Sequence, residues 1–522
     1  MPAPESHHSI LVIGTGNAGF SAALSAATSS THDILLIDKS PEAWVGGNTF
    51  FTAGAFRTVH NGLDSLLPLV NNVDKETAKI TDVPAYTRED FLADLERVTD
   101  GRCDKELGEV LVDDSYETVR WLKGLGVRFQ LSFNRQAYRV EGRWKFWGGL
   151  HVKTQDGGKG LIEDYLAAAR SLGIRIWFDT AAKRILLDSD TGAVNGVLVE
   201  RGGKEEVIRC KAVVLAAGGF EASSSMRKEH LGPGWENARV RGTPYNTGDL
   251  LSIAVRDVHA KKTGDWQGCH SVAWDANAAP DSGNRDVGNE YTKSGYPLGL
   301  MLNIEGRRFV DEGLDLRNYT YAKFGREILK QSNGVAFQVW DASVVGLLRE
   351  EEYRDEVVEK ITAQSVEELA EKCGGAGLRD TTTFVATIKD YNEAVHRHRA
   401  INPGVKYDPS TKDGLGTEGL ALAKSNWALP FSTPPFLAVK VACGITFTFG
   451  GLAVDPKSAA VISETTGEKV EGLFCVGEMM GGLFHGNYPG GSGLMSGAVF
   501  GRRAGRAAAS LVRQGREQPL NN

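Results

Sequence analysis

The chain has 522 residues, of which 41% are hydrophobic and 24% are charged, a composition typical of a soluble globular protein with roughly two to four domains. Its net charge of −7 argues against a general nucleic-acid-binding surface. The 62 glycines fit a protein whose backbone approaches a large cofactor closely.

The cysteines exclude several kinds of site. All six are scattered, and none forms a C-x-x-C or C-x-x-C-H motif, so the sequence predicts no c-type haem attachment and no metal site. Scattered cysteines suggest a reducing compartment, and no apolar run approaches the roughly 20 residues of a membrane helix. We therefore expect a cytoplasmic protein with no transmembrane segment.

The first informative motif lies close to the N-terminus. Gly14, Gly16 and Gly19 form a G-x-G-x-x-G turn directly after an apolar run, and Asp38 closes the next apolar run. A helix N-terminus after such a turn presents N–H groups to a diphosphate, and an acid at this spacing meets ribose hydroxyls. The pattern therefore predicts an adenine dinucleotide site.

Apolar periodicity and turn residues predict the elements that follow. Thr87 is expected to cap a helix, with Asp90 at the capping-box position. The predicted elements are a turn-rich loop over 44–54, helices over 106–125 and 159–172, a β-hairpin of 184–188 and 194–200, a buried strand over 212–217, and loops over 275–289 and 401–419.

A second dinucleotide signal lies near the C-terminus. A strand over 472–477 ends in a Gly477-Glu478 turn, and a glycine-rich stretch then leads into a small-residue helix over 494–509. Because the two signals lie at opposite ends of the chain, we predict an α/β fold with a Rossmann-like cofactor domain and an inserted α+β cap. The predicted boundaries are 1–258 and 446–522 for the cofactor domain and 259–445 for the cap.

Several motifs in order resemble the flavoprotein family of fumarate reductase and succinate dehydrogenase. Within it, residues 291–299, 308–312, 317–323 and 487–491 are similar to the tricarballylate dehydrogenases, which oxidise a saturated tricarboxylate to cis-aconitate. The resemblance implies bound FAD and a mobile cap. The motifs are the first glycine turn with Asp38, Gly46-Gly47-Asn48-Thr49, residues 216–220, residues 306–312, Gly450-Gly451, and Gly477-Glu478 with the glycines after it.

The motifs and the resemblance together predict the FAD contacts. No histidine lies between Asp33 and Val59, where membrane-bound members of the family attach FAD covalently, so we expect non-covalent binding. The predicted cofactor residues are Gly14, Gly16, Asn17, Ala18, Gly19, Asp38, Lys39, Gly46, Gly47, Asn48, Thr49, Thr52, Ala53, Gly54, Ala217, Gly218, Gly219, Gly477, Glu478, Gly491, Ser492, Gly493 and Leu494.

The resemblance also implies the roles of residues at the reacting centre. Arg317 is expected to transfer the proton while a hydride passes to the flavin, or else to clamp a substrate carboxylate. His270 is expected to bind and polarise the substrate, and Thr448 to donate a hydrogen bond to it. Lys293 is predicted to hold a third carboxylate, and His485 to touch cofactor or substrate.

Departures from the family pattern keep other substrates open. Phe447 stands where fumarate reductases have a histidine, Tyr488-Pro489 replaces a clamp arginine, and a Glu…Arg proton relay is absent near Thr292 and Gly295. The segment that begins at Tyr488 resembles one in 3-ketosteroid dehydrogenases, where a tyrosine polarises a ketone, and this gives Tyr488 a catalytic role. Charged groups in the cleft nevertheless favour an anionic substrate.

We therefore predict a flavin-dependent dehydrogenase that acts on the CH–CH bond of a small polycarboxylate, of the tricarballylate type. The alternatives are fumarate-reductase-like reduction of an unsaturated carboxylate and 3-ketosteroid-type α,β-dehydrogenation. A plain flavin-binding module would not require a cap and a charged site. Because the chain has no cysteine motif for haem or iron–sulfur clusters, we expect a separate electron acceptor.

Overall fold

Both ends of the chain contribute strands to one sheet, as a computed structural model that describes residues 4–29 and 33–517 shows. The strands are β1 Glu5–His7, β2 Ile10–Ile13, β3 Ile34–Ile37, β4 Ala55–Phe56, β5 Thr81–Asp82, β6 Phe129–Leu131, β7 Ala137–Val140, β8 Arg143–Phe146, β9 Val152–Thr154, β10 Arg175–Trp177, β11 Thr180–Leu187, β12 Val194–Arg201, β13 Lys204–Arg209, β14 Ala212–Leu215, β15 Arg239–Val240, β16 Lys262–Asp275, β17 Leu300–Asn303, β18 Val335–Trp340, β19 Ile361–Ala363, β20 Phe436–Leu452, β21 Ala460–Ile462 and β22 Lys469–Cys475. The helices are α1 Asn17–Ser29, α2 Leu63–Leu66, α3 Lys75–Lys79, α4 Arg88–Val98, α5 Lys105–Asp113, α6 Ser115–Gly124, α7 Phe133–Gln136, α8 Gly157–Ser171, α9 Ser224–Met226, α10 Asp249–Val258, α11 Arg317–Leu329, α12 Ala342–Val345, α13 Glu350–Tyr353, α14 Val366–Gly375, α15 Thr381–Ile401 and α16 Ser492–Glu517.

The sheet that both ends share has the strand order β10-β3-β2-β14-β22-β21. The first five strands are parallel, and β21 runs antiparallel to β22. The strands β2, β3 and β14 are buried along their whole length, which is why each reads as a continuous apolar run. The predicted α/β class and the joining of the two chain ends are therefore confirmed.

A second sheet is built around β20, whose 17 residues pair with β15, β16, β18 and β19. In the antiparallel pair of β16 and β20, His270 lies opposite Phe447 and Cys269 opposite Thr448. β20 runs through residue 446 without a break, so one strand spans the predicted boundary between the cap and the C-terminal segment. The boundary itself stays a prediction.

Small residues hold α1 against α16. A Cβ atom added to Gly501 would lie 2.6 Å from the Ala18 carbonyl oxygen, and one added to Gly505 would lie 2.3 Å from the Ala22 carbonyl oxygen. Such contacts leave no room for a side chain. The glycine spacing along α16 therefore lets the helix that follows the first glycine turn pack directly on the C-terminal helix.

Most of the local predictions are confirmed, and one helix is divided. Thr87 and Asp90 form a reciprocal capping box at the start of α4, and the hairpin appears as the antiparallel β11 and β12. The helix predicted over 106–125 is two helices, α5 and α6. The two helices meet at Asp114, whose carboxylate accepts a hydrogen bond from Arg503 Nε on α16 at 2.7 Å, and both pack against α16.

Within residues 4–29 and 33–517, every helix is too short or too polar to cross a bilayer. The six cysteines are all free thiols.

Replacing Gly501 with alanine is expected to destabilise the protein. The new methyl group must displace the α1 backbone, and overpacking of this kind costs about 1–3 kcal/mol. Gly124→Ala is the matched control, since it is also a helical glycine but an added Cβ meets nothing within 4 Å, and its effect should stay within about 0.5 kcal/mol. Urea unfolding measures both variants, and equal stabilities would contradict the packing described here.

Candidate active site

One continuous cavity connects the glycine turn after β2 with the sheet built around β20. It encloses about 2010 Å³ of space, the open mouth included. Gly14 and Asp38 line one part of it, and His270, Arg317 and Arg349 line another. The cavity begins at the carboxyl ends of the parallel strands, which is where open α/β sheets bind their ligands.

The three glycines of the first turn have different structural roles. Gly14 has a positive φ of 114°, and a Cβ atom there would lie 2.3 Å from the Ala216 carbonyl oxygen. A Cβ atom on Gly19 would lie 1.8 Å from the Gly14 carbonyl oxygen, whereas one on Gly16 would meet nothing closer than 3.6 Å. Gly14 and Gly19 are thus required by the turn and by helix–strand packing, and Gly16 leaves the backbone open to a diphosphate.

Asp38 is oriented by the turn that it faces. Its Oδ2 accepts hydrogen bonds from Thr15 N at 2.8 Å and Thr15 Oγ1 at 2.6 Å, and its Oδ1 accepts one from Ser40 N at 2.8 Å. A carboxylate has about four lone-pair positions, so Asp38 keeps acceptor capacity for ribose hydroxyls. The glycine turn and this fixed carboxylate together fit the adenosine diphosphate part of FAD.

The N-terminus of α16 reaches the same cavity. Gly491, Gly493 and Leu494 line it, and Asn17 Nδ2 donates to the Leu494 carbonyl at 2.8 Å, which fixes α16 relative to α1. A helix N-terminus carries partial positive charge, so this end suits the negative charge of a reduced flavin. FAD bound in the cavity would be held by the glycine turn, Asp38 and the start of α16.

Most of the predicted cofactor residues line the cavity, although their contact with FAD stays a prediction. Five do not. Four of these are glycines packed closely against neighbouring atoms; a Cβ atom on Gly219, for example, would lie 2.2 Å from Glu478 Oε1. Those that line it are Gly14, Gly16, Asn17, Ala18, Asp38, Lys39, Gly47, Asn48, Thr49, Thr52, Ala53, Ala217, Gly218, Gly477, Glu478, Gly491, Gly493 and Leu494. Those outside the lining are Gly19, Gly46, Gly54, Gly219 and Ser492.

Two buried carboxyl groups, Glu221 and Glu478, meet beside the cavity. Glu478 Oε1 accepts from Thr448 N at 2.7 Å, and Glu221 Oε1 accepts from Asn246 Nδ2 at 2.6 Å. Glu221 Oε2 has no donor among the described residues. Burial raises the pKa of both groups, and the negative charge of Glu221 raises the pKa of Glu478 further. The pair therefore holds a proton at pH values where an ordinary glutamate has lost it.

Aromatic rings form the wall around His270. Its ring centroid lies 4.8 Å from that of Tyr321, 4.9 Å from Tyr488 and 5.5 Å from Phe447. The Tyr321 and Tyr488 hydroxyls are hydrogen-bonded to each other. Burial raises the pKa of both tyrosines, so both keep their protons. Burial, and then Arg241, lower the pKa of His270, which is neutral.

Three arginines, Arg135, Arg317 and Arg349, line the same part of the cavity. Arg317 NH2 donates to the Arg135 carbonyl at 2.6 Å, and Arg349 NH2 donates to the same oxygen at 2.7 Å. Arg349 NH1 also donates to Ser294 Oγ at 3.0 Å, which Arg317 NH1 approaches at 3.5 Å. The two guanidinium groups therefore lie side by side.

One fully buried carboxylate, Glu352, faces this group of arginines. It accepts from Arg349 NH1 at 2.8 Å and from Arg135 NH2 at 2.9 Å. Burial opposes its ionisation, but Arg349, Arg135 and Arg317 keep the pKa of Glu352 below its ordinary value. Burial and the neighbouring arginines lower the pKa of Arg349 to about 9. Arg135 also pairs with Glu351.

Two predicted substrate-binding residues lie outside the cavity lining, so the geometry does not support their direct contact with a substrate, which stays a prediction. Lys293 is fully buried, with its Nζ donating to the Glu290 carbonyl at 2.9 Å and lying 3.6 Å from Asp275 Oδ2. His485 lies beside Asp265 and Arg102 instead. Arg317, His270, Thr448 and Tyr488 do line the cavity.

Two further predictions concern covalent flavin and metal. His60, just beyond the segment without histidine, is outside the cavity lining, and its Nε2 lies 2.8 Å from His151 Nδ1. Covalent flavin attachment is therefore not indicated.

No group of three potential metal ligands occurs among residues 4–29 and 33–517.

The sequence interpretation missed Arg135, Arg241, Arg349 and Ser294, all of which line the cavity. Arg349 precedes three glutamates, a run that reads as a solvated surface, and Arg241 follows a strand of only two residues. Neither position carries a motif. Tyr321, which bonds Tyr488, could have been found because it lies one helical turn after Arg317.

Gly16→Ala is expected to fold normally and to lose FAD. The added methyl group has room in the protein but occupies space beside the cavity, and a misfit worth about 1–3 kcal/mol lowers affinity roughly 5- to 150-fold. Circular dichroism and the ratio of flavin to protein absorbance measure the two properties, with Gly124→Ala as the control. A Gly16→Ala protein with full flavin content would contradict this account of the turn.

Glu221→Gln is expected to make stability less dependent on pH. Since burial raises the pKa of both carboxyls above the ordinary value of 4.5, the folded protein holds protons that the unfolded chain has released. Stability therefore falls as pH rises above about 4.5. The glutamine amide can donate to Glu478 without that proton.

Thermal unfolding of the holoenzyme between pH 5 and about pH 8 tests this change. The exposed variant Glu471→Gln should keep the wild-type slope. If Glu221→Gln also kept it, the two carboxyls would not share a proton.

Comparisons with known proteins agree with the fold and the cofactor. A family model described as an FAD binding domain matches residues 9–494. The chain is 27% identical to a probable fumarate reductase, Ifc3, of Shewanella frigidimarina over 508 residues, which cover 97% of this chain and 75% of that protein. It is similar to the solved open conformation of a flavocytochrome c3 fumarate reductase, with TM-score 0.70, 25% identity and coverage of 98% and 79%.

A solved 3-ketosteroid Δ4-(5α)-dehydrogenase of Rhodococcus jostii shares the fold, with TM-score 0.68 at 22% identity and coverage of 97% and 99%. The chain thus belongs to the FAD-binding-domain flavoprotein family and is an FAD-dependent oxidoreductase related to the fumarate reductases.

Proposed function

We propose that this protein dehydrogenates the CH–CH bond of a small polycarboxylate, of the tricarballylate to cis-aconitate type. The observation that carries the proposal is the group of Arg135, Arg317 and Arg349 beside the cavity, which has one fully buried counter-ion, Glu352. Charge-assisted, bidentate hydrogen bonds from arginine are the preferred way to hold a carboxylate. The site therefore suits an anionic substrate.

The proposed reaction removes a hydride from one carbon and a proton from its neighbour. When bound, FAD supplies the two-electron acceptor for the hydride. Arg317 lines the cavity, where it is held by the Arg135 carbonyl and Ser294, and its guanidinium accepts the substrate proton after it has released one of its own. The adjacent Arg349 is positioned to bind a carboxylate of the same substrate.

A series of hydrogen bonds holds Arg317 in place and extends to the surface. Ser294 lies next to Arg317 and donates to Glu352 Oε2, and Glu352 Oε1 accepts from Arg135 NH2 at 2.9 Å. Arg135 also bonds Glu351, whose side chain is 32% exposed. These hydrogen bonds fix the position of the Arg317 guanidinium beside the cavity.

A second candidate function is dehydrogenation beside a ketone. The hydrogen-bonded hydroxyls of Tyr321 and Tyr488 favour it, since two protonated phenols can polarise a carbonyl oxygen. The solved ketosteroid dehydrogenase shares the fold. We rank this function second because an apolar steroid gives the buried arginines no counter-charge.

Two further parts of the proposal concern the cellular context. The free thiols suit the reducing cytoplasm. A separate acceptor would reoxidise the flavin.

Anaerobic mixing of the holoenzyme with candidate substrates tests the proposal. Tricarballylate or succinate is expected to bleach the visible flavin absorbance, and 4-androstene-3,17-dione is not. Bleaching by the steroid alone would establish the second candidate function. If no carboxylate either bleached or perturbed the flavin spectrum, the proposal would be wrong.

Arg317→Gln is expected to slow flavin reduction by about 10²- to 10⁴-fold, because a positioned proton-transfer group contributes about that much. Stopped-flow bleaching with the carboxylate found active measures the rate. Lys323→Ala is the control, since Lys323 lies on the same helix but is exposed. Reduction of Arg317→Gln at the wild-type rate would remove Arg317 from the chemistry.

A further inference from the structure

Arg241 is a buried cation that lacks an anionic partner. Arg241 directly follows β15. It is only 7% exposed and lines the cavity. NH1 donates to Thr446 Oγ1 at 2.8 Å and lies 3.5 Å from His270 Nε2, and NH2 donates to Asn289 Oδ1. All of these partners are neutral. Nowhere in residues 4–29 and 33–517 does a carboxylate form an ion pair with Arg241.

Two of the donors at this point are unused. Arg241 Nε and His270 Nδ1 are both buried and have no hydrogen-bond partner in the described part of the chain. His270 Nε2 faces the Arg241 guanidinium, so the neutral imidazole carries its proton on Nδ1, where the described residues provide no acceptor. Burying an unpaired charge together with unsatisfied donors is strongly unfavourable, unless a ligand supplies the missing anion.

We propose that Arg241 and His270 form a second anion subsite, which binds a carboxylate other than the one bound at Arg317 and Arg349. The inference rests on the proposed function and narrows its substrate class. A substrate held at both subsites carries carboxylates on either side of the reacting CH–CH bond, as in a vicinal dicarboxylate or a tricarboxylate. A monocarboxylic acid would leave Arg241 unpaired.

A separate subsite is supported by the different partners of the two groups. Arg317 and Arg349 share the Arg135 carbonyl and Ser294, whereas Arg241 is held by Thr446 on β20 and by Asn289. No residue hydrogen-bonds to both groups in the described ranges. Each group can therefore orient its own carboxylate.

Two ligands of equal chain length test the subsite. Succinate has carboxylates at both ends, and butyrate has one. We expect the wild-type holoenzyme to bind succinate at least about 10-fold more tightly than butyrate, as measured by flavin difference spectra and by ligand-induced rise in melting temperature. The difference reports the second carboxylate because the carbon skeletons are the same.

Substitutions at Arg241 and at Arg317 are expected to affect the binding of the two ligands differently. Arg241→Met should weaken succinate binding by about 10- to 150-fold, the effect of losing a charge-assisted hydrogen bond, and should leave butyrate within about twofold. Arg241→Lys should bind succinate with an affinity between those of the wild type and Arg241→Met, because lysine keeps the charge without the planar guanidinium. Arg317→Gln should weaken both ligands.

Stability supplies a readout that is independent of activity. Removing an unpaired buried cation is often neutral or stabilising, so the ligand-free Arg241→Met holoenzyme should melt at or above the wild-type temperature. Succinate should raise the melting temperature of this variant only slightly. A clear drop in its ligand-free melting temperature would mean that Arg241 serves the fold, and would overturn the subsite.

The reduction potential of the bound flavin distinguishes the proposed subsite from one other explanation, in which Arg241 acts on the flavin. If Arg241 faces the flavin instead of the substrate, Arg241→Met lowers that potential and leaves the preference for succinate over butyrate unchanged, which overturns the inference. If Arg241→Met loses the preference at an unchanged potential, the inference stands. Failure of wild type to bind either acid would instead contradict the proposed function itself.

Discussion

Positive charge in excess of negative charge, buried along one cavity, is the constraint on which the account of this protein depends. Four arginines, at positions 135, 241, 317 and 349, line the cavity, and Glu352 is the only fully buried carboxylate that pairs with any of them in the described residues. A protein interior does not hold unpaired guanidinium groups without cost. This cost is the physical reason for our proposal that the cavity binds an anionic substrate beside the flavin.

The fold brings these charges together from distant parts of the chain. Arg135 lies in the short helix α7, Arg241 follows β15, Arg317 begins α11 and Arg349 precedes α13. The pairing of β16 with β20 supports Arg317 and Arg241, because α11 packs against both strands and Arg241 donates to Thr446 on β20. The same pairing places His270 opposite Phe447. Sites built on such elements hold geometry better than sites on free loops. The sheet that both chain ends share sets the cofactor end of the same cavity.

Much of the cofactor end could be predicted from sequence, because its chemistry is local. Gly14, Gly16, Gly19 and Asp38 are fixed by one turn and the two strands beside it, so their spacing carries their roles. The capping box of Thr87 and Asp90 is local for the same reason.

The substrate end could be predicted only in part. Arg349 and Arg241 come together through tertiary contacts that no local pattern encodes, and Arg349 precedes glutamates that indicate a solvated surface. Lys293 shows the opposite case, since its sequence suggests a free cation, whereas its buried Nζ donates to the Glu290 carbonyl and lies beside Asp275. Charge in a sequence thus identifies candidates, and burial and pairing decide which of them remain available to a ligand.

A crystal structure of the holoenzyme with tricarballylate or succinate bound tests the central claim most directly. The account predicts one carboxylate within hydrogen-bonding distance of Arg317 and Arg349, and a second one at Arg241 and His270, with the CH–CH bond between them next to the flavin. Carboxylates bound elsewhere, with the four guanidinium groups paired to other protein groups or to the flavin, would contradict it.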